Sequence, residues 1–331
     1  LTQADPVDLA AAGDAARHLV QPTREQLLRS GSPVMRLRTA WASTWGSWPR
    51  FLALIEPAYR PVHYFTADGV PIGAAAKDLV RLAALGSQWL RAAGLRSDDS
   101  VALLEGATSS IEPWELSGGT RRAGVPLAVV EDPADARAGD FSVVAGRPAA
   151  LAAALQGGGW PGLRVVLAFG RYSGRIAKLI PDGVMLRRAW AVPGARSVWF
   201  ECAGGEATGW HTTGEAELVE VGDDDEALWT GLGWAGTVFL RLRTGVRVAA
   251  VDKTTCPSCG HRGPRLFLID GSPALARWLR DDPRVSDFRV TADGADVLPT
   301  RAGPNARLVK EATEAFPDFT VTVMTKRGWQ A

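Results

Sequence analysis

The feature that most constrains the fold is a series of short, almost entirely apolar stretches separated by helical patterns. These stretches are Val101–Leu104, Val125–Val130, Phe141–Ala145 and Leu163–Phe169. Leucines recur at helical spacing from Leu79 to Trp89, ahead of the first stretch, and an Ala/Leu segment from Pro148 to Gln156 precedes the last. Fully apolar strands that alternate with helices are typical of a parallel sheet covered on both faces. The sequence therefore predicts an α/β core over residues 61–200.

The pattern changes after this core. Glu215–Val221, Thr237–Arg243 and Val246–Val251 alternate or are rich in β-branched residues, which predicts a β-rich subdomain over residues 201–270. The acidic run Asp223–Glu226 could attract a cation, but a solvated loop is the simpler interpretation. Residues 1–60 are predicted to form an N-terminal helical segment. Residues 271–331 combine two helices and three strands, which predicts a small α+β C-terminal domain.

Charge and cysteine content narrow the functional classes. The 331 residues include 37 basic and 36 acidic side chains, so the chain lacks the electrostatic footprint of a nucleic-acid-binding protein. The apolar runs are too short to span a bilayer. Leu1–Ala16 carries three aspartates and no basic residue, unlike a secretory signal, and three cysteines do not suit a disulfide scaffold. We expect a cytoplasmic protein with neither a nucleic-acid nor a membrane partner.

The strongest chemical motif is a knuckle, Cys256-Pro257-Ser258-Cys259-Gly260. Two thiolates at this spacing can bind one metal ion, and a glycine after the second cysteine lets the backbone turn. The β-rich context is not the one expected of a redox Cys-x-x-Cys. Cys202 and His211 would complete a tetrahedral Cys₃His set. The alternatives are that Cys202 is a buried thiol, that His211 binds nothing, or that His261 is the fourth ligand.

A four-ligand zinc site leaves no open position for water, so its role would be structural. It would join the segment around residues 202–211 to the loop at residues 256–259. Such binding contributes directly to folding, and we expect chelation to loosen this subdomain. Any catalysis must be sought elsewhere in the chain.

A series of motifs in the β-rich region resembles phenylacetate–coenzyme A ligases of the adenylate-forming superfamily. The motifs, in order, are Glu201-Cys202, Gly209-Trp210-His211-Thr212, Glu217–Val221, Phe239–Gly245 and Cys256–Gly260 with Pro264-Arg265. The metal set also matches one that several relatives carry. The resemblance covers most of the chain from about residue 60. It implies the adenylate-forming fold, with an α/β core, a β-rich zinc-stapled subdomain and a mobile C-terminal lid.

Enzymes of this family join a carboxylate to the α-phosphate of ATP and then transfer the acyl group to a thiol, usually coenzyme A. The resemblance assigns Thr66 and Gly69, within Phe65–Pro71, to the phosphate loop. It assigns Gly194 to the position of the magnesium-binding glutamate, and Arg243 and Thr244 to the motif whose final aspartate binds ribose. It assigns Lys326 to the lysine of the lid, which is the only catalytic candidate.

Each of these motifs departs from the family pattern. Asp68 places a carboxylate in the phosphate loop, Gly194 replaces a glutamate, and Val246 replaces the ribose-binding aspartate. The usual motif is also missing around Lys326. The sequence therefore indicates a degenerate ligase homologue in which binding of ATP and magnesium is lost or weakened.

Three functions remain open after these losses. The first is a non-catalytic protein that acts as a binding or partner subunit. The second is an active AMP-forming ligase that activates a carboxylic acid. The third is binding of a small carboxylic acid or thioester without ATP.

Overall fold

The structure is a computed structural model that describes most of the chain from residue 61 onward. The described residues are 8–9, 61–67, 70–104, 110–156, 158, 160–171, 174–237, 239–269, 275, 278–279, 282–291, 294–300, 305–317 and 319–324. In this part of the chain the α-helices are α1 (Ala76–Ala92), α2 (Ile111–Ala123), α3 (Pro133–Ala138), α4 (Pro148–Leu155) and α5 (Ala306–Ala315). Nearly all of the predicted N-terminal segment, and most of the helix predicted at Pro273–Arg280, lie outside the described residues.

Sixteen strands are found in the same described residues. They are β1 (Pro61–Ala67), β2 (Val70–Ala75), β3 (Val101–Leu103), β4 (Leu127–Val129), β5 (Val143–Gly146), β6 (Val165–Phe169), β7 (Met185–Ala191), β8 (Val198–Phe200), β9 (Trp210–His211), β10 (Glu217–Val221), β11 (Glu226–Gly231), β12 (Leu242–Asp252), β13 (Arg265–Leu268), β14 (Val285–Thr291), β15 (Gly294–Pro299) and β16 (Thr320–Val323).

One large mixed sheet organises the molecule. Its strand order is β10-β11-β12-β13-β9-β8-β7-β6-β5-β3-β4. From β4 through β3, β5 and β6 to β7, each strand pairs parallel with the next. From β7 through β8, β9, β13, β12 and β11 to β10, each strand pairs antiparallel with the next. The predicted α/β fold with a parallel core is confirmed. Strands of the predicted α/β core (residues 61–200) and of the predicted β-rich subdomain (residues 201–270) belong to this one sheet. The two predicted units therefore share one scaffold.

Helices α1 and α2 cover one face of the parallel strands. Asp78, in the first turn of α1, caps this helix by accepting a hydrogen bond from the Ala75 amide at 2.9 Å. Leu82 and Trp89 are buried on the inner face of α1. The two helices approach so closely that a Cβ atom at Gly86 would overlap the carbonyl oxygen of Glu115. The sequence analysis did not predict α2, because adjacent glycines, here Gly118 and Gly119, normally disfavour a helix. In this position they allow close packing against α1.

The predicted strands Thr237–Arg243 and Val246–Val251 are wrong as separate elements. The structure has a single strand β12, which begins at Leu242 and is preceded by an irregular segment. Arg241 has φ 50° and Gly245 has φ 67°, so the turn signal at Thr244-Gly245 marks an irregularity within the strand and not its end. The sequence analysis also missed β11, whose six residues are all buried.

Apolar side chains form cores on both faces of the sheet and a separate core in the C-terminal unit. Trp89, Trp199 and Trp229 are fully buried in the first core, so these three tryptophans have a packing role. The C-terminal unit places α5 against a three-stranded sheet of order β14-β15-β16. Among the described residues, no helix combines the length and apolarity needed to cross a bilayer.

Candidate metal centre and the nucleotide-site positions

Three neighbouring strands bring the four predicted metal ligands together. Cys202 lies just after β8, and His211 is the last residue of β9. Strand β9 pairs with β8 through Phe200 and with β13 through Arg265. The knuckle occupies the connection from β12 to β13, so its two cysteines reach the same end of these strands. Residues 54 positions apart thereby become neighbours.

The four donor atoms form a compact group. The ligand atoms of Cys202, His211, Cys256 and Cys259 all lie within 4.8 Å of one another. The Cys202 and Cys256 sulfurs are 4.0 Å apart, and Cys259 Sγ lies 3.5 Å from His211 Nε2. Donors on a tetrahedral zinc ion are about 3.5–3.8 Å apart, as bonds of about 2.3 Å to sulfur and 2.0 Å to nitrogen require. These four residues can therefore hold one metal ion.

The backbone of the knuckle is shaped around the sulfurs. The Gly260 amide donates to the Cys256 carbonyl at 2.9 Å, and Gly260 has φ 72°, which favours glycine. The Cys256 amide donates to the His261 carbonyl at 2.9 Å. On the opposite side, the Gly204 amide points at Cys202 Sγ from 3.3 Å. Amides directed at sulfur stabilise a thiolate, as a metal site requires.

Burial controls protonation in this cluster. It raises the pKa of Cys259 to about 12 and lowers the pKa of His211 to about 4. Burial also raises the pKa of Cys256, but amides of Cys259 and Ser258 outweigh it, and the net direction is downward. The imidazole is thus neutral at neutral pH and can donate an electron pair to a metal ion. A bound cation would supply the positive charge that a half-buried Cys259 thiolate needs for compensation.

The two histidines near the knuckle are arranged differently. His211 is fully buried and stacks on Phe200, with ring centroids 5.2 Å apart. His261 packs edge-on against His211 at 5.3 Å, while its Nε2 lies 2.8 Å from the Thr212 carbonyl and donates to it. His261 therefore supports the cluster from outside, and the alternative that it is the fourth ligand is not favoured.

The stretch assigned to the phosphate loop is a β-hairpin. Phe65 pairs with Ile72, Thr66 with Pro71 and Ala67 with Val70, so only two residues of chain connect the paired strands. Thr66 is exposed, whereas Asp68 and Gly69 lie outside the described residues. A phosphate cradle needs several consecutive backbone amides that are free to bind oxygen. In this hairpin the two strands are paired with each other up to the turn.

Gly194 occupies a confined, apolar position after β7. It has φ 81°, and a Cβ atom there would lie 2.8 Å from Leu242 Cδ2 and 3.0 Å from Leu9 Cδ1. A glutamate at this position would be strained and would meet hydrocarbon. The resemblance assigns the magnesium-binding glutamate to this position, and the contacts around Gly194 are with leucine side chains.

Arg243 and Thr244 interact with the acidic turn between β10 and β11. Arg243 lies 3.5 Å from both Asp224 and Glu226, while Thr244 Oγ1 donates to the Ala227 carbonyl at 2.7 Å. The Gly245 amide donates to Glu226 Oε1 at 2.7 Å. The acidic run therefore pairs with arginines of β12. Val246, which the resemblance assigns to the ribose-binding position, is buried, and Lys326 lies outside the described residues.

The sequence did not reveal a buried ion pair, with its hydrogen bonds, that holds the β1–β2 hairpin to the sheet. Asp78 forms an ion pair of 2.8 Å with Arg196 and accepts the amides of Ala235 and Gly236, each at 2.8 Å. Arg196 also donates to the Gly73 carbonyl in β2. These hydrogen bonds lower the pKa of Asp78 in spite of the opposing effect of burial. The position of an aspartate in the first turn of α1 indicated only a helix cap.

Two buried glutamates were also missed. Glu115 accepts the Trp89 indole N–H at 2.9 Å, and burial holds its pKa well above the usual range. Glu217 accepts hydrogen bonds from five donors, including the Thr213 amide at 2.6 Å and the indoles of Trp199 and Trp229. Nothing in the local sequence distinguishes these two residues from surface glutamates, because their burial arises from the packing of α2 and β10.

The sequence matches no family model and no curated protein. Solved structures do match. One is 2-hydroxyisobutyryl-CoA ligase in complex with 2-HIB-AMP, at TM-score 0.59 and 15% identity, with 88% of this chain and 74% of that chain covered. Another is the o-succinylbenzoate CoA synthetase of Bacillus subtilis with its acyl-adenylate intermediate, at TM-score 0.53 and 12% identity, with 79% and 64% covered. The chain has the fold of adenylate-forming CoA ligases.

This likeness confirms the predicted α/β adenylate-forming fold, whereas the zinc-stapled subdomain and the mobile lid stay predictions. At 12–15% identity it carries the fold alone, and the phenylacetate-specific resemblance stays a prediction. The assignments of Thr66, Gly69, Gly194, Arg243, Thr244 and Lys326 to nucleotide binding or catalysis likewise stay predictions.

Proposed function

We propose that this chain is a degenerate homologue of adenylate-forming ligases, weak or inactive in ATP-dependent carboxylate activation, that acts as a binding or partner protein. The observation that carries the proposal is the paired hairpin of β1 and β2 at the phosphate-loop position. Its strands are joined by two residues, one of which is the acidic Asp68. A triphosphate at this position would therefore lack its cradle of amides, and the sequence supplies an acidic residue where the family has hydroxyl and glycine residues.

Loss of two carboxylates supports the same conclusion. A magnesium ion prefers carboxylate oxygens, and Gly194 is enclosed by leucine side chains. Ribose hydroxyls need acceptors, and the buried isopropyl group of Val246 offers none. Neutral hydrogen bonds contribute about 1 kcal/mol each, so losses at three subsites together reduce nucleotide affinity by orders of magnitude. The residues present do not fit Mg-ATP, and we derive no step through it.

The Cys₃His cluster, in contrast, fits a metal ion. We propose that Cys202, His211, Cys256 and Cys259 bind structural zinc, which supplies no open coordination position for chemistry. The donor set is soft, compact and largely buried. In this role the ion joins β8 and β9 to the connection between β12 and β13. The scaffold that once positioned a nucleotide is thereby kept while the nucleotide-binding residues are lost.

The alternative is an active AMP-forming ligase that converts a carboxylic acid to an acyl- or aryl-CoA thioester. The fold favours it, since the similar 2-hydroxyisobutyryl-CoA ligase has been solved with an acyl-AMP and CoA. Binding of a small carboxylic acid or thioester without ATP is a third function, and it is compatible with the loss of nucleotide binding. In the alternative, groups outside the resembled motifs would replace the missing carboxylates.

Carboxylate-dependent exchange of pyrophosphate into ATP separates these functions. The zinc-replete protein is assayed with a panel of aliphatic and aryl acids, because exchange reports adenylate formation whether or not a thiol is present. The proposal expects no exchange above that of the Thr66→Ala variant, which changes an exposed side chain of the hairpin. Exchange that depends on one acid and falls in that variant would establish the alternative.

A further inference from the structure

A cavity of about 430 Å³ lies where the C-terminal ends of α1 and α2 meet the loop that leads to β3. Its volume is in the range of small-molecule sites. Leu90, Leu95 and Val125 give it an apolar floor, and three arginines stand at its rim: Arg91, Arg96 and Arg122. It is formed by α1, α2 and the turns that follow them, and its lining includes no residue of the hairpin or of the Cys₃His cluster.

The helix ends at this cavity satisfy their own carbonyl groups. Gly94 and Gly124 adopt φ values of 97° and 72°, as glycines commonly do just after a helix. The amides that follow α1 donate to the carbonyls of Leu90 and Arg91 at 3.0 Å, and the Val125 amide donates to Thr120 at 2.9 Å. Because backbone amides already donate to these carbonyls, the carbonyls do not need hydrogen bonds from the arginine side chains.

The three guanidinium groups also lack acidic partners. Within the described residues, no carboxylate lies at ion-pair distance from Arg91, Arg96 or Arg122. Arg91 donates only to the backbone carbonyl of Ser87, at 3.1 Å. The nearby Asp99 is engaged elsewhere, since it pairs with Arg164 and accepts the Arg96 amide at 2.6 Å. Three positive charges therefore surround the cavity without compensation from this part of the chain.

We propose that this cavity binds a small phosphomonoester that carries a compact apolar group. Guanidinium groups match phosphate oxygens in pairs of parallel hydrogen bonds, and three of them suit a dianion better than a single carboxylate charge. The apolar floor accommodates the organic group. The proposal is independent of the proposed function, because it uses no residue of the hairpin, the metal cluster or the nucleotide-site positions.

Titration calorimetry with phenyl phosphate on the zinc-replete chain at low salt tests the proposal. We expect a dissociation constant below about 1 mM, and binding about tenfold weaker for benzoate, which carries the same ring with one charge. Inorganic phosphate, which lacks the ring, is expected to bind more weakly as well. Arg91→Gln, Arg96→Gln and Arg122→Gln should each weaken phenyl phosphate binding about five- to tenfold.

Arg121→Gln is the matched control, because Arg121 is an exposed arginine of α2 that does not line the cavity. It is expected to bind phenyl phosphate like the parent chain. All four positions are exposed, so thermal unfolding should stay unchanged in the variants. Absence of binding to the parent chain, or equal effects of Arg121→Gln and the cavity variants, would overturn the proposal.

Discussion

At the scale of single residues, the two histidines beside the knuckle provide the sharpest comparison. His211 Nε2 belongs to the compact donor group, whereas His261 Nε2 is engaged with the Thr212 carbonyl. His211→Ala should therefore lower retained zinc to well below one ion per chain. His261→Gln, which keeps a hydrogen-bond donor, should retain one ion per chain. Elemental analysis after dialysis measures the zinc content of both variants. Loss of zinc only in His261→Gln would indicate that His261, and not His211, is the fourth ligand.

The buried Glu115 makes stability depend on pH. Burial raises its pKa in the folded chain, so ionisation costs stability at pH values above the usual carboxyl range. This cost is present at pH 7 and falls as the pH is lowered toward 5, because the folded chain then binds the proton more readily than the unfolded chain. Thermal unfolding from pH 5 to 8 should consequently be less pH-dependent in Glu115→Gln. Glu131→Gln, which changes an exposed glutamate, should behave like the parent chain.

Local sequence was informative at this scale where chemistry requires a fixed spacing. The Cys-x-x-Cys-Gly knuckle indicated two candidate ligands, and the scarcity of cysteine and histidine pointed to Cys202 and His211, which the structure brings together with them. Asp78, Glu115 and Glu217 could not be found in this way. Their partners come from segments that are distant in the chain, such as Arg196 for Asp78 and Trp229 for Glu217.

At the scale of elements, the contact between α1 and α2 depends on glycine. A Cβ atom at Gly86 would overlap the rigid carbonyl group of Glu115. Gly86→Ala should therefore destabilise the fold by about 3 kcal/mol, as overpacking in a tight interface does, despite the better helix propensity of alanine. Gly139→Ala is the control, because the three atoms nearest to its Cβ would belong to the Phe141 side chain and not to rigid backbone. Chemical denaturation measures both, and equal stability of the two variants would contradict this packing.

Element prediction failed where glycine has a packing or strand role. The glycines of α2 obscured a helix of thirteen residues, and the Thr244-Gly245 turn signal divided one long strand into two. The apolar strands β3, β5 and β6, in contrast, lie close to their predicted positions. Burial on both faces leaves such strands few alternatives, so their pattern is the least ambiguous.

At the scale of the whole molecule, the metal cluster bridges strands near the middle of the large sheet. Strands β8, β9 and β13 are neighbours there, so loss of the ion is expected to weaken the main sheet and not a peripheral loop. Removal of zinc with a chelator should lower the unfolding temperature by several degrees. Ser258→Ala, inside the knuckle, should respond like the parent chain. An unchanged unfolding temperature after verified zinc removal would contradict the structural role.

The overall architecture followed from the order of apolar strands, helices and motifs, but the continuity of the sheet did not. Strand order depends on which edges pair, and sequence alone did not indicate that β10–β13 extend the parallel core. The proposed loss of nucleotide chemistry likewise concerns the whole molecule. It combines the hairpin, the enclosed Gly194 and the buried Val246, which come from three different parts of the chain.

Titration calorimetry of the zinc-replete chain with Mg-ATP tests this central claim most directly. We expect no detectable heat of specific binding up to millimolar nucleotide, because the proposal has the phosphate, magnesium and ribose subsites all impaired. Circular dichroism of the same sample controls for folding. Saturable binding of Mg-ATP with a dissociation constant in the micromolar range would contradict the account and would establish that the cleft has been rebuilt around other residues.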